Sequence, residues 1–137
     1  MSTSEIIKTI FLPVGPEIAW TYLTEADKLA KWFHGPKEDL VIGPYILYGS
    51  ESGDKLCWGD VLAMEPVTRL VYSFSTKFFP TVSSTVEWKL DAVEGGTRIT
   101  MHHKGMEKAG DAFMGLVQAL DKGWDGHFAE LRDLAAR

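Results

Sequence analysis

The feature that most constrains this chain is a change of apolar period near residue 111. From Phe113 onward, Leu116, Val117, Leu120, Trp124, Phe128, Leu131 and Leu134 recur at steps of three and four, the spacing of one helix face. With Asp111 as N-cap, the pattern predicts a helix of about 25 residues, about 37 Å long at 1.5 Å per residue. In a chain of 137 residues such a helix must cross most of whatever it packs on. Gly115, Gly123 and Gly126 fall inside it, each costing about 1 kcal/mol against Ala, which points to close approach or a bend.

The partner of the helix is read from the residues before it. Ile6, Lys8, Ile10 and Leu12 alternate with Ile7, Thr9 and Phe11, so residues 5–12 form a strand partly covered on both faces. Pro16 suits the first position of a short helix through Ala19, Trp20 and Leu23. Thr24, with Asp27 three residues on, reads as a variant capping box opening a second short helix that ends near Trp32. Five extended runs follow: Asp39–Tyr48, Lys55–Met64, Leu70–Thr76, Val82–Leu90 and Thr97–Lys104. Turn residues bound each of them, giving an antiparallel meander, with Glu94-Gly95-Gly96 as the clearest hairpin turn. Strand, two short helices, five strands and a long helix segregate into an α+β class. The length suits one domain over residues 1–137.

Composition excludes several functions. The net charge is −5 and the 14 Lys and Arg are scattered, which argues against nucleic acid. The single Cys57 cannot close an internal disulfide and fits a reducing compartment. Met1-Ser2-Thr3-Ser4-Glu5 has no basic region leading into an apolar core, and no apolar run nears the roughly 18 residues of a membrane span. A cytoplasmic protein without membrane insertion is expected. One Cys and no zinc-type His-Glu spacing speak against a metal, and no Gly-rich loop opens a helix to hold a nucleotide cofactor. A Ser-His-Asp triad lacks a nucleophile elbow.

Particular residues in this order resemble the START-like (SRPBCC) superfamily, and within it the group related to the activator of Hsp90 ATPase. They are Pro16-Glu17-Ile18-Ala19-Trp20, Leu29-Ala30-Lys31-Trp32-Phe33, the run from Gly59 to Pro66, Arg69-Leu70-Val71-Tyr72, the run from Gly95 to Thr100, and Gly123-Trp124 followed by Leu131. Where that family usually has Gly-Gly before an aromatic in the second strand, this chain has Gly43-Pro44-Tyr45, and Pro44 lacks a ladder donor. The resemblance implies a helix-grip fold, in which a curved sheet of six strands wraps the long helix around an elongated apolar cavity. Members of that superfamily bind lipids, polyketides, flavonoids or hormones, act as cyclases, or serve chaperones, so function has to be argued from the site.

The strand periodicity nominates site residues. Ile99, Met101 and His103 share one face of the last strand; Val82, Ser84, Val86, Trp88 and Leu90 share the inner face of the strand before it. Against Phe113, Val117, Leu120 and Trp124 these would enclose an aromatic space with a few polar atoms. Trp58, Phe74, Trp88, Met101, His103, Phe113, Val117, Leu120 and Trp124 are the candidate ligand contacts. Plain core packing fits the same aromatics, Trp88, Trp124 and Phe128 above all. Along the helix, the stretch from Phe113 to Leu120 reads as pocket wall and that from Trp124 to Leu134 as core. His103, with Asp60 or Tyr72, is the candidate acid-base set; Asp60 shares a strand face with Trp58, Leu62 and Met64, and either face assignment is open. The leading expectation is binding of a hydrophobic or aromatic small molecule. A cofactor-independent cyclase, dehydratase or lyase comes next, then a co-chaperone-like activator of an Hsp90-type ATPase. A homodimer through a strand edge or the helix is compatible with all three.

Overall fold

The computed structural model describes residues 5–49 and 51–136. Met1–Ser4, on which the reading of the N-terminus rested, lie outside them. The elements are β1 (Ile6–Leu12), α1 (Pro16–Thr24), α2 (Ala26–Trp32), β2 (Gly43–Tyr48), β3 (Lys55–Glu65), β4 (Arg69–Thr76), β5 (Phe79–Val93), β6 (Gly96–Lys104), a 3-10 turn over Met106–Ala112, and α3 (Phe113–Ala135). The strands form one antiparallel sheet in the order β1-β6-β5-β4-β3-β2. The expected α+β helix-grip architecture is borne out. β2–β6 are a meander, and β1 closes the far edge beside β6.

The two-residue period sets the core. Ile99, Met101 and His103 on β6, Val86, Trp88 and Leu90 on β5, and Leu70, Tyr72 and Phe74 on β4 all turn to the concave face, where Leu116, Trp124, Phe128 and Leu131 of α3 meet them. Pairing of Trp88 with Met101 and of Val86 with His103 keeps these side chains in line across the strands. Lys8 on β1 reaches Asp121 and Asp125 at 2.8 and 2.7 Å, tying the sheet edge to one side of the helix.

Local chemistry differs from expectation at several ends. The second strand begins at Gly43 rather than Asp39, and Val41 and Ile42 are exposed. Pro44 sits in an edge strand, where a residue without an N–H is tolerated. Thr24 does not cap α2: its hydroxyl donates back to the Trp20 carbonyl at 3.0 Å, and Asp39 accepts the Ala26 N–H at 2.8 Å instead. Asp111 does not open the long helix either, because the 3-10 turn occupies 106–112 and α3 starts at Phe113 behind an Ala112 N-cap.

The three glycines of α3 are not sites of close approach. A Cβ added at Gly115, Gly123 or Gly126 would meet nothing within 4 Å. Gly115→Ala and Gly126→Ala are therefore each expected to raise stability by about 1 kcal/mol, measured as a higher urea midpoint at unchanged slope.

Candidate functional site

A pocket of ≈ 390 Å³ opens between one face of α3 and the end of the sheet where β3 and β4 meet. Its helix wall is Leu116, Ala119, Leu120, Gly123, Trp124 and His127, one face at three- and four-residue steps. β3 contributes Leu56 and Cys57; β4 contributes Phe74 and Thr76, which share a face because they are two apart. Phe33 and His34, just beyond α2, close the floor, and Lys77, Phe78 and Phe79 of the β4–β5 hairpin form the rim. The Tyr48 N–H donates to the Gly35 carbonyl at 3.0 Å, anchoring the loop that carries Phe33 and His34 to β2. Phe78 is 77% exposed, so the rim faces solvent.

Stacked rings shape the floor. Phe33 lies 5.0 Å from Trp124 and 5.4 Å from Trp32, both nearly parallel, and meets His127 edge-on at 4.8 Å. Such geometry adds to the area these rings bury.

His103 is fully buried behind this floor. The Trp124 indole N–H donates to its Nδ1 at 3.0 Å, so Nδ1 carries no proton and Nε2 does. Nε2–H then donates to the Ser84 hydroxyl at 2.7 Å, and that hydroxyl donates to the Phe74 carbonyl at 2.9 Å. Every hydrogen-bonding position of the imidazole is used, and the tautomer follows from its partners. Burial, with a small push from His102, lowers its pKa to about 3.

The nominated residues scatter relative to the pocket. Phe74, Leu120 and Trp124 line it; Trp88, Met101 and His103 lie in the core beneath; Phe113 and Val117 do not line it. Trp58 and Asp60 point to the outer face of the sheet. Lys55 lies over the Trp58 ring at 4.4 Å, and the Asp60 side chain is exposed. A register shift between Val61 and Ala63 explains the displacement: Cys57 and Val61 face inward, and Met64, three residues on, pairs with inward Leu70. Met64 therefore does not share a face with Trp58, Asp60 and Leu62. Asp60 and His103 are not brought together. Tyr72 is buried, its oxygen accepting the Trp88 indole N–H at 3.0 Å, and burial raises its pKa.

The sequence reading missed Phe33, His34, Cys57 and His127. His127 carried a usable signal, since Leu120, Trp124 and His127 follow i, i+4, i+7. Phe33 and His34 sit in a loop, where no period exists to reveal a direction. Burial lowers the pKa of His34 to about 4, helped by the neighbouring His127. His127 is lowered too, chiefly by burial, against the opposing effects of its hydrogen bond to the Trp32 carbonyl and of Glu130. The Cys57 thiol is pushed up to about 12 by burial and stays protonated. Among the described residues no three His, Cys, Asp or Glu side chains converge on a point that could hold a metal ion. No helix among them is long and apolar enough to cross a membrane.

Comparison with known proteins fits this geometry. Residues 13–136 match the family model described as activator of Hsp90 ATPase homolog 1-like protein. No protein with a curated description matches the chain. Among solved structures, CalU16 from Micromonospora echinospora is 26% identical, with 93% of this chain and 73% of that one covered at a TM-score of 0.73. DynU16, a protein in the dynemicin biosynthetic locus, is 21% identical at a TM-score of 0.76; the match covers 96% of this chain and 47% of DynU16, about half its length. The Aha1 dimer from Colwellia psychrerythraea is 19% identical, with 96% and 95% covered at a TM-score of 0.74. The family match spans nearly the whole described chain and ends where α3 ends. The chain belongs to the activator of Hsp90 ATPase homolog 1-like family of the SRPBCC, or START-like, superfamily.

Proposed function

We propose that the protein binds an apolar or aromatic small molecule, of lipid, polyketide or flavonoid type, in the pocket between α3 and the β3–β4 end of the sheet. The observation that carries this reading is a ≈ 390 Å³ space whose walls are mainly aliphatic and aromatic, with few polar groups, open at a hydrophobic rim. That size and make-up are those of small-molecule sites, which run from about 300 to 1,000 Å³. Non-covalent binding is favoured over acid-base catalysis by His103, because both ring nitrogens of His103 are already committed to Trp124 and Ser84. DynU16, which shares the fold, is described as a protein in a biosynthetic locus; polyaromatic natural products are accordingly a sensible part of the ligand panel.

Trp124 lines the pocket and reports on its occupancy. Titration with flavonoids, polyketide aromatics and fatty acids is expected to quench Trp fluorescence saturably and to raise the melting temperature by mass action. Gly123→Phe, which places a ring into the open space beside Trp124, is expected to weaken binding at least about tenfold, a loss of about 1.4 kcal/mol. Its circular dichroism should be unchanged. Absence of saturable binding across the panel, or binding untouched by Gly123→Phe, would remove the reading.

A further inference from the structure

The chain carries 19 Asp and Glu against 14 Lys and Arg, yet none of the side chains lining the pocket is a carboxylate. The ionisable groups on its wall are His34, Cys57, Lys77 and His127. A lining without acidic groups sets no carboxylate repulsion against an entering anion, and low-dielectric walls strengthen whatever charge interaction forms there.

The two histidines form the polar end of the pocket. Their rings lie 5.0 Å apart and nearly perpendicular, and both pack against Phe33 at 4.8 Å. The hydrogen bond at 3.2 Å from His127 Nδ1 to the Trp32 carbonyl makes that nitrogen the donor and leaves Nε2 as the bare one. Among the described residues His34 has ring contacts and no side-chain hydrogen bond. Two imidazoles with unused nitrogens therefore stand at one end of an otherwise apolar space.

We infer that the pocket selects apolar molecules bearing one weakly acidic oxygen, a carboxylic acid or an acidic phenol, whose oxygen is held between His34 and His127 with uptake of a proton. This rests on the small-molecule reading above and names the ligand class. The proton balance is simple. In the empty pocket both rings are neutral near pH 7, since burial holds each below its ordinary value. An oxyanion placed between them favours the charged imidazolium, so a proton from solvent joins the pair as the anion enters. The groups bearing on this exchange are few. Glu130, one turn further along α3, favours charge on His127, and charge on His127 disfavours charge on His34, which limits uptake to one proton. Lys77 on the rim is held by Asp54 at 3.4 Å, and the Cys57 thiol stays neutral.

The test uses two pairs of probes, 2-naphthoic acid with its methyl ester and decanoic acid with its methyl ester, titrated calorimetrically at pH 6.5 in phosphate and in an amine buffer. The acids are expected to bind on the order of tenfold tighter than the esters, as a charge-assisted hydrogen bond requires. The difference in apparent enthalpy between buffers should correspond to uptake of about one proton. In the double variant His34→Gln/His127→Gln, which keeps polar side chains but has no imidazole left in the pair to take up the proton, the advantage of each acid over its ester and the proton uptake should both fall. Melting curves show whether the double variant is folded; if it is not, the acid-against-ester comparison and the proton count in the parent protein still decide the inference. Esters binding as tightly as acids, or proton uptake surviving in the double variant, would overturn the inference and leave the apolar pocket standing. No saturable binding of any of the four probes would overturn both.

Discussion

His103→Ala is expected to cost about 3 to 5 kcal/mol of stability, read as a large fall in the urea midpoint, because the side chain bridges two buried polar groups, the Trp124 indole N–H and the Ser84 hydroxyl. Without it the Trp124 indole N–H loses its acceptor and the Ser84 hydroxyl loses its donor, and an unmade buried hydrogen bond costs about 1 to 3 kcal/mol. The vacated volume beside Phe74 and Trp124 adds the usual term for an unfilled cavity. His103→Gln, whose amide supplies an acceptor and a donor, should recover part of the loss. An unchanged midpoint in His103→Ala would show that the chain of bonds from Trp124 to Phe74 carries no stability.

The same residue gives the protein an acid-labile window with a defined sign. Folded His103 titrates at about 3, against an ordinary value of about 6.5. Between those values the unfolded chain binds a proton that the native state refuses, so stability falls as pH drops below about 6.5, by about 1.4 kcal/mol per unit. Above that pH its contribution is constant. His34 and His127 act in the same direction, each more weakly than His103 because each is partly exposed. Carboxylates enter lower: Glu87, held below its usual range by the Arg69 guanidinium, keeps its stabilising contribution until pH falls past the ordinary carboxylate value of about 4.5 and loses it below. The interval from pH 6.5 to 5 therefore isolates the histidines. The pH slope of His103→Ala there should be shallower than that of the parent by about one proton.

His103 also shows how far the sequence could be read. Its inward direction followed from the period of two on β6, and the matching face of β5 followed from Ser84, Val86 and Trp88 in the same way. Its partners did not follow, since nothing in the sequence says which donor reaches Nδ1. On α3 the apolar stripe gave the helix and its core face. The reading placed the pocket wall at Phe113–Leu120, whereas the wall runs from Leu116 to His127. Phe33 and His34 were illegible for a different reason: loop direction is set by tertiary anchoring, here the Tyr48 to Gly35 bond, and leaves no periodic trace. The outward Trp58 and Asp60 were misgrouped with Met64 because one residue of slip inverts every face beyond it.

That slip lies beside the second position with a large expected effect. Gly59→Ala is expected to cost about 3 kcal/mol or more, although it adds a single methyl group. A Cβ at Gly59 would run into the backbone carbonyl oxygen of Ser73 on the neighbouring strand. Ser73 cannot yield easily. Its carbonyl accepts the Tyr45 hydroxyl at 2.6 Å and its own hydroxyl accepts the Asp60 N–H at 2.9 Å, so three strands are locked at this point. Relief requires β3 and β4 to part, and the residues next along them, Cys57 and Phe74, are pocket wall. Gly59→Ala should therefore lose stability and ligand binding together. Gly123→Phe, by contrast, should lose binding alone. Leu62→Ser, at an exposed position on the outer face of the same strand, should change neither by more than about 0.5 kcal/mol. A Gly59→Ala protein that melts with the parent and still binds would mean that the two strands can separate here at little cost, and that the sheet, unlike α3, does not hold the pocket's shape.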